Sequence, residues 1–155
     1  MTESILNGKK VLVVDDEPDI LAVVEEEIHN ACPDTTIEKE RTHDKAAELL
    51  RSNPYDLVIL DIMGVRGFDL LEIAVKRGFK VAMLTAHALS PEALKRSHDL
   101  GAQAYLPKDK LGELIPFLEE VLTNDHESGW KRLMETLENY FDDKFESEWK
   151  KKLWY

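Results

Sequence analysis

The chain has 155 residues, 43% of them hydrophobic and 33% charged, and its 31 acidic residues against 20 basic ones give a net charge of −11. Such a length and balance describe one globular domain with room for an addition. The negative charge, with no basic stripe outside Lys150–Lys152, excludes a surface built to neutralise nucleic-acid phosphates.

Cys32 is the only cysteine, so neither an internal disulfide nor a Cys-based zinc site can form. The five histidines never fall at the i, i+3 or i+4 spacing of a local ligand pair. No stretch is apolar and long enough for a signal peptide or a bilayer span, so a cytoplasmic protein is expected.

In chain order, five short apolar runs alternate with helical patterns. "KVLVV" (10–14), "TTIEKE" (35–40), "DLVIL" (56–60), "KVAML" (80–84) and "AQAYL" (102–106) read as strands. Three of them are almost wholly apolar, as parallel strands buried on both faces must be. Helices are expected over 18–31, 43–52, 67–77, 91–100 and 110–123, punctuated by Pro18, Asn53-Pro54, Gly78, Ser90-Pro91 and Gly101. Five βα units in succession imply an α/β fold, a doubly wound five-stranded parallel sheet with helices on both faces.

In such a sheet, function gathers at the carboxyl ends of the strands, near the topological switch point. Strand one ends on Asp15-Asp16-Glu17, strand three on Asp61 and strand four on Thr85, while strand five runs through Pro107 to Lys108. Carboxylates about 4 Å apart repel by roughly 4 kcal/mol per pair at an effective dielectric near 20. A divalent cation removes that cost, and a few hard oxygen ligands suit Mg²⁺, which keeps waters and bridges to phosphate. A carboxylate can attack phosphorus to give an aspartyl phosphate, with a metal ion, the Lys108 ammonium and the Thr85 hydroxyl matched to its three oxygens.

The motifs "VLVVDDEPDI", "DLVILDIM", "VAMLTAHA" and "GAQAYLPK" resemble the receiver domain of bacterial two-component response regulators, over about residues 8 to 123. The resemblance implies a flavodoxin-like (βα)5 fold in which Asp61 accepts phosphate from a histidine kinase or phosphotransfer protein. It also implies that Asp15, Asp16, Asp61 and the Met63 carbonyl hold Mg²⁺. Thr85 with Ala86 would form the switch at the end of strand four. Lys108 would pair with the phosphate, and Tyr105 would change rotamer. Such a protein is a phosphoryl acceptor with at most slow self-dephosphorylation, not an enzyme. Haloacid-dehalogenase-like phosphatases would need Asp-x-Asp after strand one, and flavodoxins a Ser/Thr- and Gly-rich loop there; neither is present.

Two departures from the family stand out. Receivers commonly continue Asp-x-x-Met-Pro after the acceptor, whereas "DIMGVRGFDLL" lacks the proline and reads as a loop shortened by two residues, with Gly64 and Gly67 supplying permissive angles. Asp109 stands where a proline usually follows the lysine. Met63 and His87 occupy positions where water access to the phosphate is controlled, and a bulky Met63 is expected to slow its loss. The alternative reading is a degenerate receiver, an interaction or dimerisation module that works without phosphorylation.

The receiver is expected over 1–123, with a helical extension over 124–155 and no separate output domain. In that extension Trp130, Leu133, Met134, Leu137, Phe141 and Phe145 share a wedge of about 120° on a helix, wide enough for burial. Three uses follow: folding back on the receiver, pairing with a second copy, or receiving a partner. Its mixed polar face argues against a membrane surface.

Overall fold

The computed structural model describes residues 4–86, 91–128 and 130–131. Five strands, β1 (Lys10–Val14), β2 (Thr36–Glu40), β3 (Leu57–Asp61), β4 (Lys80–Thr85) and β5 (Ala104–Pro107), alternate with five helices. These are α1 (Pro18–Ala31), α2 (His43–Ser52), α3 (Gly67–Lys76), α4 (Pro91–Asp99) and α5 (Leu114–Thr123). All pairings are parallel, in the order β2-β1-β3-β4-β5, so the chain reverses its winding between β1 and β3. The doubly wound α/β sheet expected from the sequence is therefore the fold.

Hydrophobicity decides which strand lies where. Every residue of β3 is buried, and Leu57, Val58, Ile59 and Leu60 are wholly so, each contributing about 1.5–3 kcal/mol relative to exposure. Of the two edge strands, β2 carries Glu38, Lys39 and Glu40, which a central position would forbid and which guard an open edge. Those charges are used locally: Lys10 pairs with Glu38 at 3.1 Å, and the Tyr55 hydroxyl donates to Glu38 at 2.7 Å. Right-handed crossovers place α1 with α5 on one face and α2 with α3 on the other, and those pairs are in contact.

One helix departs from expectation. Instead of a continuous helix over 110–123, a 3₁₀ turn spans Lys108–Glu113 and α5 begins only at Leu114. Pro116 explains the late start, because a proline is tolerated only in the first turn, where its missing N–H has no intrahelical partner to lose. The turn begins directly at the end of β5, and so fixes where Lys108 can reach.

Beyond α5 the chain turns helical again at residue 126. Trp130 is fully buried, and its indole Nε1–H donates to the Ala102 carbonyl at 2.7 Å. The first turn of the extension thus rests on this chain's own α/β core. Leu133, Met134, Leu137, Phe141 and Phe145 lie outside the described residues, as do His87 and the remainder of the expected extension.

Candidate functional site

The carboxyl edge of the sheet brings the ends of β1, β3, β4 and β5 together. Asp15 continues the β1 ladder by donating its N–H to the Glu40 carbonyl at 3.1 Å, and its side chain is completely buried. Its Oδ1 accepts the Glu17 N–H at 2.9 Å, which turns the chain into α1, where Pro18 supplies the first helical residue. Asp61 ends β3, 5% exposed, with its backbone in register with Leu84. One oxygen from each of Asp15, Asp16 and Asp61 lies within 4.8 Å of the others.

Lys108 closes the site. Its Nζ lies 2.8 Å from Asp15 Oδ2, 3.1 Å from Asp61 Oδ1 and 3.1 Å from Glu17 Oε2. Burial pushes the Asp15 carboxyl up to about 6, against the opposing pull of Lys108, so the group is ionised at neutral pH. For Lys108, burial works against the ammonium, but the hydrogen bonds it donates to Asp15, Asp61 and Glu17 outweigh it and hold its pKa above the usual lysine range. Lys110, two residues on, lies 4.0 Å from Glu113.

The irregular loop after Asp61 is shaped around the carboxylates. Gly64 donates its N–H to Asp61 Oδ2 at 2.9 Å, and a Cβ built on it would collide with the Asp16 carboxyl and lie 2.6 Å from Asp61 Oδ2. A Cβ on Gly67 would overlap the Asp61 carbonyl oxygen and lie 2.8 Å from Ile62 Cα, so only glycine lets α3 start this close to β3. Arg66 absorbs the remaining strain in the left-handed region, at φ 54°. The two glycines therefore serve less as sources of flexible angles than as room for acid side chain and strand. The Met63 side chain stands in solvent, 83% exposed.

At the other side of the site, Thr85 is 7% exposed, in register with Pro107, and Ala86 follows it at the surface. Tyr105 is completely buried on β5, and burial pushes its phenol up, with the neighbouring Thr85 hydroxyl acting the other way. Among the described residues its hydroxyl makes no well-formed hydrogen bond.

The donor set fits a small hard dication. Among the described residues, buried Asp15 Oδ2 has only the Lys108 ion pair; Asp16 presents its side chain at the surface beside it, and Gly64 leaves space between Asp16 and Asp61 that any side chain would fill. Sequence reasoning missed one contributor: Arg41 donates to the Asp16 carbonyl at 3.3 Å from Nη2, and no motif marks it. Glu17, visible in the sequence as the third acid of the cluster, takes a share of Lys108.

A doubly wound sheet with acids and a lysine gathered at its switch point defines a class of α/β domain. The response regulator receiver domain model matches residues 11–119, and the chain belongs to that family, the receivers of two-component systems. Two-component response regulator ARR18 of Arabidopsis thaliana is 41% identical over 85 residues, 52% of this chain but only 13% of that protein. A CheY-like receiver domain protein from Methanospirillum hungatei JF-1 superimposes with a TM-score of 0.66 at 26% identity, over 80% of this chain and 98% of that one. A response regulator from Thermotoga maritima shares the fold at 21% identity, with a TM-score of 0.66, over 75% of this chain and 98% of that one. Among the described residues no helix is long and apolar enough to cross a membrane.

Proposed function

We propose that this receiver takes a phosphoryl group on Asp61 from a histidine kinase or phosphotransfer protein in the cytoplasm. A carboxylate oxygen of Asp61 attacks phosphorus, the P–N bond to the donor histidine breaks, and the departing nitrogen keeps the electron pair and is reprotonated. The product is an acyl phosphate. Asp15, Asp16, Asp61 and the Met63 carbonyl would hold Mg²⁺, which when bound supplies positive charge to the phosphoryl oxygens. Lys108 passes from the carboxylates it now neutralises to the incoming phosphoryl oxygens, giving charge where charge develops.

Thr85 and Ala86, at the end of β4, meet the phosphoryl group from the far side. Movement of the Thr85 hydroxyl vacates space beside Tyr105, and the protein-interaction surface around β5 changes with it. Self-dephosphorylation is slow at most, with Met63 as the residue that sets it. The observation that carries this reading is the convergence of three carboxylates within 4.8 Å, two of them joined by Lys108.

Incubating the protein with acetyl phosphate and Mg²⁺ and weighing it intact tests the reading. One phosphoryl group per chain is expected, lost completely in Asp61→Asn and in chelator. An unchanged mass in the native protein, or a gain that survives Asp61→Asn, overturns it.

A further inference from the structure

A second group of polar side chains converges at the opposite edge of the sheet, where α4 has returned the chain towards the start of β5. His98 lies in the last turn of α4, and His126 and Glu127 open the helical segment that follows α5. His98 Nε2 and His126 Nδ1 each lie 3.3 Å from the same atom, Glu127 Oε1. The two imidazole centroids are 4.7 Å apart, and one ligand atom from each of the three residues lies within 4.8 Å of the others.

The second nitrogen of each ring fixes its proton. His126 Nε2 lies 2.9 Å from the His98 carbonyl, which can only accept, so the proton is on Nε2 and the Nδ1 lone pair faces Glu127. His98 Nδ1 lies 3.1 Å from Asp99 Oδ1, and Asp99 is itself held by Lys95 at 2.9 Å. That carboxylate draws the His98 proton to Nδ1 and turns the Nε2 lone pair towards the same glutamate oxygen. With one proton on each ring, two nitrogen lone pairs and a carboxylate oxygen then face a common point, an arrangement that a bound cation stabilises. The metal-free alternative is a second proton on each ring, each ring then donating to Glu127 Oε1, and metal titration separates the two.

A metal ion satisfies all three at once. Metal–ligand bonds of about 2.0–2.1 Å in a tetrahedron put neighbouring ligand atoms about 3.3–3.4 Å apart, which is the separation of both nitrogens from Glu127 Oε1. Imidazole ligands whose other N–H is held by a carboxylate or a backbone carbonyl have the outer-shell pattern typical of metal-bound histidine. The Trp130 indole stands edge-on to the His98 ring at 5.4 Å and is buried, which screens one side from water.

We propose that His98, His126 and Glu127 bind a late first-row divalent cation of the Zn²⁺ class, clamping the first turn of the C-terminal segment onto α4. Two nitrogens and one carboxylate suit zinc, whereas Mg²⁺ and Ca²⁺ require more oxygen ligands. The fourth position is open to water or to a group from a partner. The proposal is independent of phosphoryl transfer and uses none of the acids at the carboxyl edge.

The test uses the full-length, untagged chain, stripped with chelator, returned to excess Mg²⁺ and titrated calorimetrically with Zn²⁺. One Zn²⁺ per chain is expected in the native protein and in Asp16→Asn, with affinity falling about tenfold or more in His126→Ala and in Glu127→Gln. Co²⁺ should give the visible bands of a four-coordinate ion in the native protein and lose them in Glu127→Gln. Glu127 is exposed and its replacement conserves shape, so this variant decides the matter even if His126→Ala folds poorly. Absence of stoichiometric Zn²⁺ binding, affinity unchanged by Glu127→Gln, or binding abolished by Asp16→Asn overturns the proposal.

Discussion

The acidic cluster at the carboxyl edge of the sheet and the histidine–glutamate cluster at the amino edge solve one electrostatic problem differently. At the carboxyl edge the chain supplies its own cation: Lys108 sits between Asp15, Glu17 and Asp61. At the amino edge the groups closing on Glu127 are imidazoles whose outer nitrogens are already engaged with Asp99 and the His98 carbonyl. The first cluster is thus partly balanced before any ion arrives, whereas the second draws its proposed stability from the ion itself. Charge balance built into the chain suits a site that must bind and release a ligand repeatedly. A site completed by a metal suits a structural clamp.

Removing the built-in cation breaks that contrast most severely. Lys108→Met leaves buried Asp15 and Asp61 facing each other, and urea unfolding in chelator should show a loss of about 3 kcal/mol. Mg²⁺ should restore a large part of it, whereas Zn²⁺ affinity at the amino edge should not change. Equal stability of Lys108→Met and native protein in chelator would mean that the lysine is not the counter-ion.

A smaller effect comes from pH. Asp15 titrates near 3.8 in the unfolded chain and near 6 in the folded one, so between those values the folded state holds the proton more tightly. Stability from this group is fully present below pH 3.8 and is lost as pH rises through 6, by no more than about 3 kcal/mol. Comparing unfolding of native protein and Asp15→Asn across that window in chelator isolates the component, which Mg²⁺ at pH 7 should offset. A parallel pair of profiles would remove burial as the dominant influence on Asp15.

The smallest expected effect sharpens the other side of the comparison. Trp130→Phe keeps an aromatic ring beside His98 but deletes the donor to Ala102, costing about 1 kcal/mol in thermal or urea unfolding. The pH component at Asp15 should be untouched, because the two sites lie at opposite edges of the sheet.

The two clusters also differ in how far the sequence reveals them. Parallel strands end on their functional residues, so Asp15, Asp61, Thr85 and Lys108 were legible as strand-end groups once the five apolar runs were recognised. β2 was legible as well, since its charges suit an edge. Gly112 and Pro116 mark the 3₁₀ turn, but the apolar spacing around them read as one continuous helix. The roles of Gly64 and Gly67 were read as conformational freedom, because close approach of a strand carbonyl or an acid leaves no signature in the chain. His98 and His126 were invisible as neighbours: 28 residues separate them, and only the return of the chain after α5 brings their rings together. Local spacing reports ligand pairs within one helix and is silent about pairs made by tertiary contact.

The 3₁₀ turn that starts at Lys108 has one more consequence. A tethered ammonium, anchored to the end of β5, keeps the pocket preassembled when the diffusible ion is scarce. On the proposed function, chelation should silence phosphoryl capture while leaving the melting profile of the α/β core nearly intact, so capture and core integrity would answer to different ions.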